Sequence, residues 1–269
     1  MTLLQFLIPQ HLLSKLMFRF ARIQTPWIKN TFTSWFVSTY KVNLKEAKLE
    51  DINEYKHFND FFTRALKADS RPISDSKVVS PGDGVVSQFG SIEESLIVQA
   101  KGKKFSVEAL LADQSKKDLY TSFATIYLSP KDYHRIHMPL DGSLKSMKYI
   151  PGKLFSVNQN TVNNIDQVFA RNERLVCYFD TEFGEIALVM VGAIFVGSME
   201  TSWEGQITPP YNNSVKTFEY SSSQINLSKG EELGRFNMGS TVILIMPKGS
   251  PELNLETGQA LKMGQSISN

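Results

Sequence analysis

The N-terminal quarter and the rest of the chain carry different hydrophobic periods. In the first segment Leu12, Leu13, Leu16, Met17, Phe20 and Ile23 recur at helical spacing, with Lys15, Arg19 and Arg22 on another side. Trp27, Ile28, Phe32, Trp35, Phe36 and Tyr40 follow, and Pro9 and Pro26 are plausible helix starts. Asp51, Ile52, Tyr55, Phe58 and Phe62 suggest one further amphipathic helix, closed by a turn at 69–72. From Lys77 onward the pattern changes to short β-rich runs separated by Gly, Pro, Asn and Asp. Strands are expected at 84–89, 96–99, 123–128, 144–150, 174–180, 186–191 and 194–201, and a short helix at 106–111. A last pair of strands flanks Gly239-Ser240: Arg235 to Met238 alternates, and Thr241 to Met246 is a β-branched and apolar run. No long helices alternate with these strands, so a doubly wound sheet is not expected. The expected fold is α+β: N-terminal amphipathic helices (residues 1–70), then a β-rich, sandwich- or barrel-like core (residues 71–269).

Composition adds limits. The chain has 269 residues, with 42% hydrophobic and 21% charged side chains, which is globular rather than disordered. The single cysteine, Cys177, excludes an internal disulfide, and its place in RLVCYFD suggests a buried strand position. His134 and His137 could ligate a metal from one turn, but no further His or Cys cluster supports it, so no metal is expected.

Charge changes the picture of the N-terminus. Its first 45 residues carry six basic and no acidic groups, leaving 23 basic and 27 acidic groups elsewhere. No apolar run there reaches the roughly 18 residues of a spanning helix. The recurring basic groups do not suit a cleaved signal peptide. What fits is one or two helices lying in a membrane interface, with Lys and Arg meeting anionic head groups. The competing reading is an amphipathic helix packed on the protein's own core. No recognised nucleic-acid-binding motif accompanies the basic segment, so nucleic acid is not an expected partner.

Three stretches carry candidate chemistry: SPGDGVVS at 80–87, DYHRIHMP at 132–139, and RFNMGSTVILI at 235–245. Gly239-Ser240 is locally read as a bulge or bend. Alternatively it is a reaction site, because the serine hydroxyl lies within reach of an unhindered glycine carbonyl. Asp83 between two glycines is locally a turn former, and His137 alone a core histidine. Together the stretches supply a nucleophile, a base and an orienting carboxylate.

On these motifs the chain resembles the phosphatidylserine decarboxylases of the bacterial, membrane-associated type. The matching stretches are Gly239-Ser240-Thr241, Asp83-Gly84, and Tyr133, His134, His137 and Pro139. FNDFFTRALK near residue 60, PGKLFSVN at 151, FARNER at 169, VGAIFVGSMET at 191 and ITPP at 207 also match. Met238 departs from the family, which often has Leu there; the two are similar in volume.

The resemblance implies a self-cleavage triad of Asp83, His137 and Ser240, with Asp83 orienting His137 and His137 taking the Ser240 proton. Ser240 attacks the Gly239 carbonyl, and elimination separates chains 1–239 and 240–269, which stay associated. Ser240 becomes a pyruvoyl group, the covalent cofactor, which forms a Schiff base with the phospholipid substrate and accepts electrons during loss of carbon dioxide. The product is phosphatidylethanolamine. His134 is the candidate proton donor, on the ground that it titrates near neutral pH. The implied place of action is the cytoplasmic side of the cell membrane, peripherally, on an anionic membrane surface; a homo-oligomer is compatible with it.

Two other functions use parts of the same inventory. A membrane-associated serine hydrolase would keep Ser240 as serine, but the sequence has no G-x-S-x-G elbow. A non-catalytic membrane-bound β module would not need the Asp, His and Ser constellation.

Overall fold

A computed structural model describes residues 3–195, 198–220, 225–237 and 240–269, except for the side chains of residues 3, 4 and 240. Gly239, half of the expected scissile bond, and Met238 lie outside the described residues. Ser240 is described as backbone.

Helix α1 (Gln10–Phe20) begins after Pro9, and α2 (Pro26–Tyr40) begins at Pro26. Proline suits a first helical turn because its missing N–H has no partner there. Lys41, at φ 55°, closes α2. The single helix expected over 51–62 is instead a 3-10 turn, Ile52–Glu54, and a short α3 (Phe58–Phe62). They are separate because His57 is an extended N-cap whose ring nitrogen accepts the Asp60 N–H, starting a new helix. Three short helices follow: α4 (Val107–Leu111), α5 (Gln159–Asn164) and α6 (Val168–Arg171).

The strands in chain order are β1 (Gly84–Ser91), β2 (Leu96–Ala100), β3 (Lys103–Ser106), β4 (Tyr120–Leu128) and β5 (Arg135–His137). Next come β6 (Gly142–Ile150), β7 (Arg174–Thr181), β8 (Gly184–Val191), β9 (Met199–Thr201) and β10 (Gly205–Gln206). The last are β11 (Lys216–Glu219), β12 (Asn226–Leu227), β13 (Glu232–Phe236), β14 (Ser240–Pro247) and β15 (Ala260–Leu261). Of the described residues in the strand expected over 194–201, only Met199–Thr201 are in a strand. Residues 194–195 are a turn in which Phe195 has φ 67°, a left-handed conformation no strand accommodates, and 196–197 lie outside the described residues.

The fold is therefore α+β, with helices first and a β-rich core after. The main sheet runs β11-β6-β7-β8-β14-β4-β1-β15, with β12 also on β6. Its pairings are antiparallel, and the path is open rather than a closed barrel. A second sheet runs β10-β9-β13-β5, and β2-β3 form a hairpin. Strands β7, β8 and β14 are buried over almost their whole length, which explains their near-continuous apolar runs. Cys177 is buried in β7, as its alternation suggested. A separate cluster of Ala21, Phe36, Val42, Tyr55, Phe58, Phe61 and Phe62 holds the helices together.

Candidate functional site

The rungs of the main sheet locate Ser240. It heads β14, paired with Leu128 at the end of β4. One step on, Thr241 pairs with Tyr127 on one side and Val191 on the other. Tyr127 also pairs with Val85, and Val191 with Arg174. Ser240 is thus in line with Gly84 across β4 and with Glu173 across β8, each two strand spacings or roughly 10 Å away. Gly84 has a definite reason to be glycine: a Cβ there would lie 2.4 Å from the Tyr127 carbonyl oxygen. The Asp-Gly pair is thus the start of a tightly packed strand rather than a free turn.

The structure places Asp83 differently from the expected orienter of His137. Its Oδ1 accepts from Arg71 Nε at 2.9 Å and from the Met263 backbone N–H at 2.8 Å, and its Oδ2 accepts from Arg71 Nη2 at 2.5 Å. Arg71 also donates to Glu46 at 2.6 Å. A buried carboxylate beside a guanidinium fork forms a bidentate pair rather than a single bond to imidazole.

His137 has other partners. Its Nδ1 donates to the Gly230 carbonyl at 2.8 Å, so its Nε2 is the acceptor for the Tyr133 hydroxyl at 3.0 Å. Burial lowers its pKa and keeps the ring neutral. Asp83 and His137 still sit on adjoining segments, because the His137 N–H donates to the Pro81 carbonyl at 2.8 Å.

His134 is fully buried against Phe62, with ring centres 4.2 Å apart. The Asp132 side chain accepts from Ser129 N and Oγ, closing the turn that delivers Tyr133 and His134 to β5. Nδ1 of His134 donates to the Asp132 carbonyl at 2.8 Å, and Nε2 has no partner among the described residues. Burial pushes its pKa down to about 3. The expectation that it titrates near neutral pH is corrected: in this state His134 is a neutral base with a bare nitrogen, not a loaded acid, because desolvation disfavours the imidazolium. Its carbonyl accepts from Phe236 N, four residues before Ser240.

Glu173, in the FARNER stretch, was not singled out by sequence reading. It is fully buried, with Oε1 accepting from Tyr149 Oη at 2.7 Å and Oε2 unpartnered among the described residues. Burial raises its pKa to about 7. An acid inside an otherwise conventional strand entry, ahead of an apolar run, is the signal that could have found it.

A sequence profile described as phosphatidylserine decarboxylase matches residues 58–269. The chain belongs to the phosphatidylserine decarboxylase family. A second profile, described as PSD, matches residues 1–41. A phosphatidylserine decarboxylase proenzyme of Pseudomonas putida is 50% identical over 276 residues, covering 98% of this chain and 95% of the relative. One from Francisella tularensis subspecies novicida is 51% identical over 260 residues, covering 95% and 92%. Another, from subspecies holarctica, is 53% identical over 246 residues, covering 90% and 87%. Like the other members of this decarboxylase family, the chain is an enzyme of the lyase class.

The first two helices of this decarboxylase hold to the core partly through polar side chains and leave large apolar ones exposed, although Phe36 of α2 is buried in the helical cluster. In α1 the buried residues are Gln10 and Ser14, while Leu12 and Leu16 are more than half exposed. Gln10 accepts from Leu154 N and Ser14 from Phe195 N, so polar side chains hold the helix to the core. In α2, Trp27 and Trp35 are 73% and 52% exposed, and Lys29 is buried, donating to the Asn53 and Tyr55 carbonyls. Lys29 is therefore a structural cation, one fewer for head groups. No helix among the described residues is long and apolar enough to cross a membrane.

Proposed function

We propose that this chain is a precursor that cleaves itself at Gly239-Ser240, converts Ser240 to a pyruvoyl group, and then decarboxylates phosphatidylserine to phosphatidylethanolamine. The reading is supported above all by the position of Ser240. It heads a central strand, between Asp83-Gly84 and Glu173, with His137 on β5 and His134 just before that strand, both segments bonded to β13 ahead of Ser240. The proenzyme names of the relatives accord with a precursor that is processed.

In maturation His137 takes the Ser240 proton at Nε2, the nitrogen now engaged by Tyr133. The Ser240 oxygen attacks the Gly239 carbonyl, and the peptide becomes an ester. Elimination then gives a Gly239 carboxylate and a dehydroalanine, which takes up water and releases ammonia to leave the ketone. Gly230 orients the His137 ring through its carbonyl. Asp83 acts one step away: clamped by Arg71 and Met263 N, it anchors the loop whose Pro81 carbonyl holds the His137 main chain.

The residues fit a pyruvoyl group at position 240, because the buried bare nitrogen of His134 matches a need for proton exchange in a water-poor site. When formed, that group supplies an electrophilic carbonyl and an electron sink. With the substrate's anions bound nearby to raise its basicity, His134 Nε2 takes up the proton that the substrate ammonium gives up on condensing with the ketone and later returns it to the carbon that lost carbon dioxide. A neutral base can thus perform the donor role, its proton coming from the substrate. Residues 1–70 hold the site at the membrane: the outward Leu and Trp side chains enter the acyl boundary, peripherally and on the cytoplasmic face.

The deciding measurement is intact mass under denaturing conditions. The parent should give two chains, 1–239 and 240–269, the small one with a ketone-bearing N-terminus. Ser240→Ala should remain one chain and release no carbon dioxide. Normal two-chain product from Ser240→Ala would overturn the reading, and a parent that stays near 30.4 kDa while hydrolysing esters would favour the serine hydrolase.

A further inference from the structure

A cavity of about 490 Å³ opens beside Gly84, at the end of the sheet that Ser240 heads. Its walls include Lys41, Arg64, Arg71, Lys131 and Lys262, together with Glu46, Asp83 and Asp132. The acids are already engaged. Asp83 and Glu46 share Arg71, and Lys262 Nζ stands 3.6 Å and 3.7 Å from them; Asp132 accepts from Ser129. The remaining cations are not paired with an acid. Lys41 and Lys131 form no ion pair among the described residues.

Arg64 is the unusual member. It is 4% exposed, with its guanidinium near the face of Phe61. Only Nη2 has a partner, the Lys131 carbonyl at 3.0 Å, whereas Nε and Nη1 have none among the described residues. Leaving two donors of a buried cation unpaired is costly, so such a group in a cavity wall points to a ligand. Burial lowers the Arg64 pKa, a penalty that a bound anion would offset.

We infer that Arg64, with Lys41 and Lys131 at the rim, binds the phosphodiester of the serine phospholipid and so fixes its head group beside residue 240. The inference rests on the proposed function and deepens it. The substrate carries two anions, and the chemistry distinguishes them. Its carboxylate loses its charge as carbon dioxide leaves, so a cation held against it would stabilise the ground state and slow the reaction. The phosphodiester keeps its charge throughout, so a guanidinium can hold it equally before and after. Arg64 keeps N–H donors free at Nε and at Nη1, each of which can donate to a phosphate oxygen from a charge that stays fixed through the reaction.

The test uses full-length protein in neutral detergent micelles with dioctanoylphosphatidylserine, which removes the contribution of membrane binding. Gel mobility reports self-cleavage and carbon dioxide release reports turnover. Arg64→Gln should cleave, then raise KM roughly 10- to 100-fold, the scale of a lost charge-assisted hydrogen bond, with kcat changed by less than about threefold. Arg64→Lys should recover part of the loss. Lys131→Ala, on an exposed and fold-neutral side chain, should raise KM a few-fold and weaken its dependence on ionic strength, and it serves if Arg64→Gln does not mature. An unchanged KM in cleaved Arg64→Gln, or a fall in kcat at unchanged KM, would overturn the phosphate assignment; so would Lys131→Ala with the salt dependence of the parent. A parent enzyme that cleaves but releases no carbon dioxide would instead overturn the reading on which the inference rests.

Discussion

His134 and His137 lie three residues apart, yet their ring nitrogens have different freedoms. His137 is engaged at both nitrogens, by Gly230 and Tyr133, and His134 at only one. A base oriented on both sides suits one controlled event, and a bare nitrogen suits repeated exchange with a substrate. His137→Ala should therefore accumulate uncleaved chain on gels. His134→Ala should still cleave but release carbon dioxide more slowly by roughly 100-fold or more; parental turnover would reduce it to a packing residue. Glu173 makes a pH prediction. Its folded pKa of about 7 is above the ordinary 4.5, so between those values the unfolded state has already lost a proton that the folded state keeps. Stability should then fall as pH rises from 4.5 to 7, by up to about 3 kcal/mol. Denaturant unfolding of the uncleavable Ser240→Ala chain at pH 5 and 8 should show this fall, and Glu173→Gln should flatten it.

Among the elements, α1 and α2 bury Gln10, Ser14, Lys29 and Thr33 yet leave several of their large apolar side chains in the open, while Phe36 and, in part, Met17 and Phe32 pack inward. In water this arrangement exposes Leu7, Leu12, Leu16, Trp27 and Trp35 at a cost of about 25 cal/mol per Å² of apolar surface. At a bilayer the same surface becomes favourable. Deleting residues 1–24 should reduce co-sedimentation with anionic liposomes, and salt should weaken binding of the intact chain partly, since only the Lys and Arg contribution is screened. Equal sedimentation of the truncated and intact chains would count the segment as core packing. The basic and apolar stripes were legible from residues 12–23. Their direction was not, because a helical period shows that two faces differ and not which of them meets protein. The anchors that decide it, Leu154 N and Phe195 N, lie far along the chain.

At the scale of the molecule, cleavage before Ser240 would detach the chain's own central strand. β14 lies between β8 and β4 with Val242 to Met246 fully buried, and residues 260–261 pair with β1. Chains 1–239 and 240–269 should therefore co-elute in size-exclusion chromatography without denaturant and separate only when the sheet unfolds. Elution of a free small chain from native protein would contradict the strand's place. The open sheet also explains how distant motifs meet. Residues 83, 173 and 240 are spread over most of the chain, but antiparallel register brings them to one end of the five neighbouring strands β7-β8-β14-β4-β1.

The sequence by itself determined the α+β class, the positions of most strands, the short helix after Ser106, and the three stretches that carry chemistry. These are local properties: hydrophobic period, β-branched runs and turn residues act within a few positions. It also marked Asp83, His134, His137 and Ser240 as a set, through the combination of motifs. Only the tertiary structure decided how the set is wired. Asp83 pairs with Arg71 because a buried carboxylate takes the nearest guanidinium, and His137 takes a carbonyl and a phenol instead. His134 is a neutral base because packing against Phe62 strips its water. Glu173 and Arg64, unremarkable as letters, became candidates through burial and unpartnered atoms. Hydrogen-bond partnership, solvation and protonation depend on what other segments bring to the same place, and a linear pattern does not carry that information.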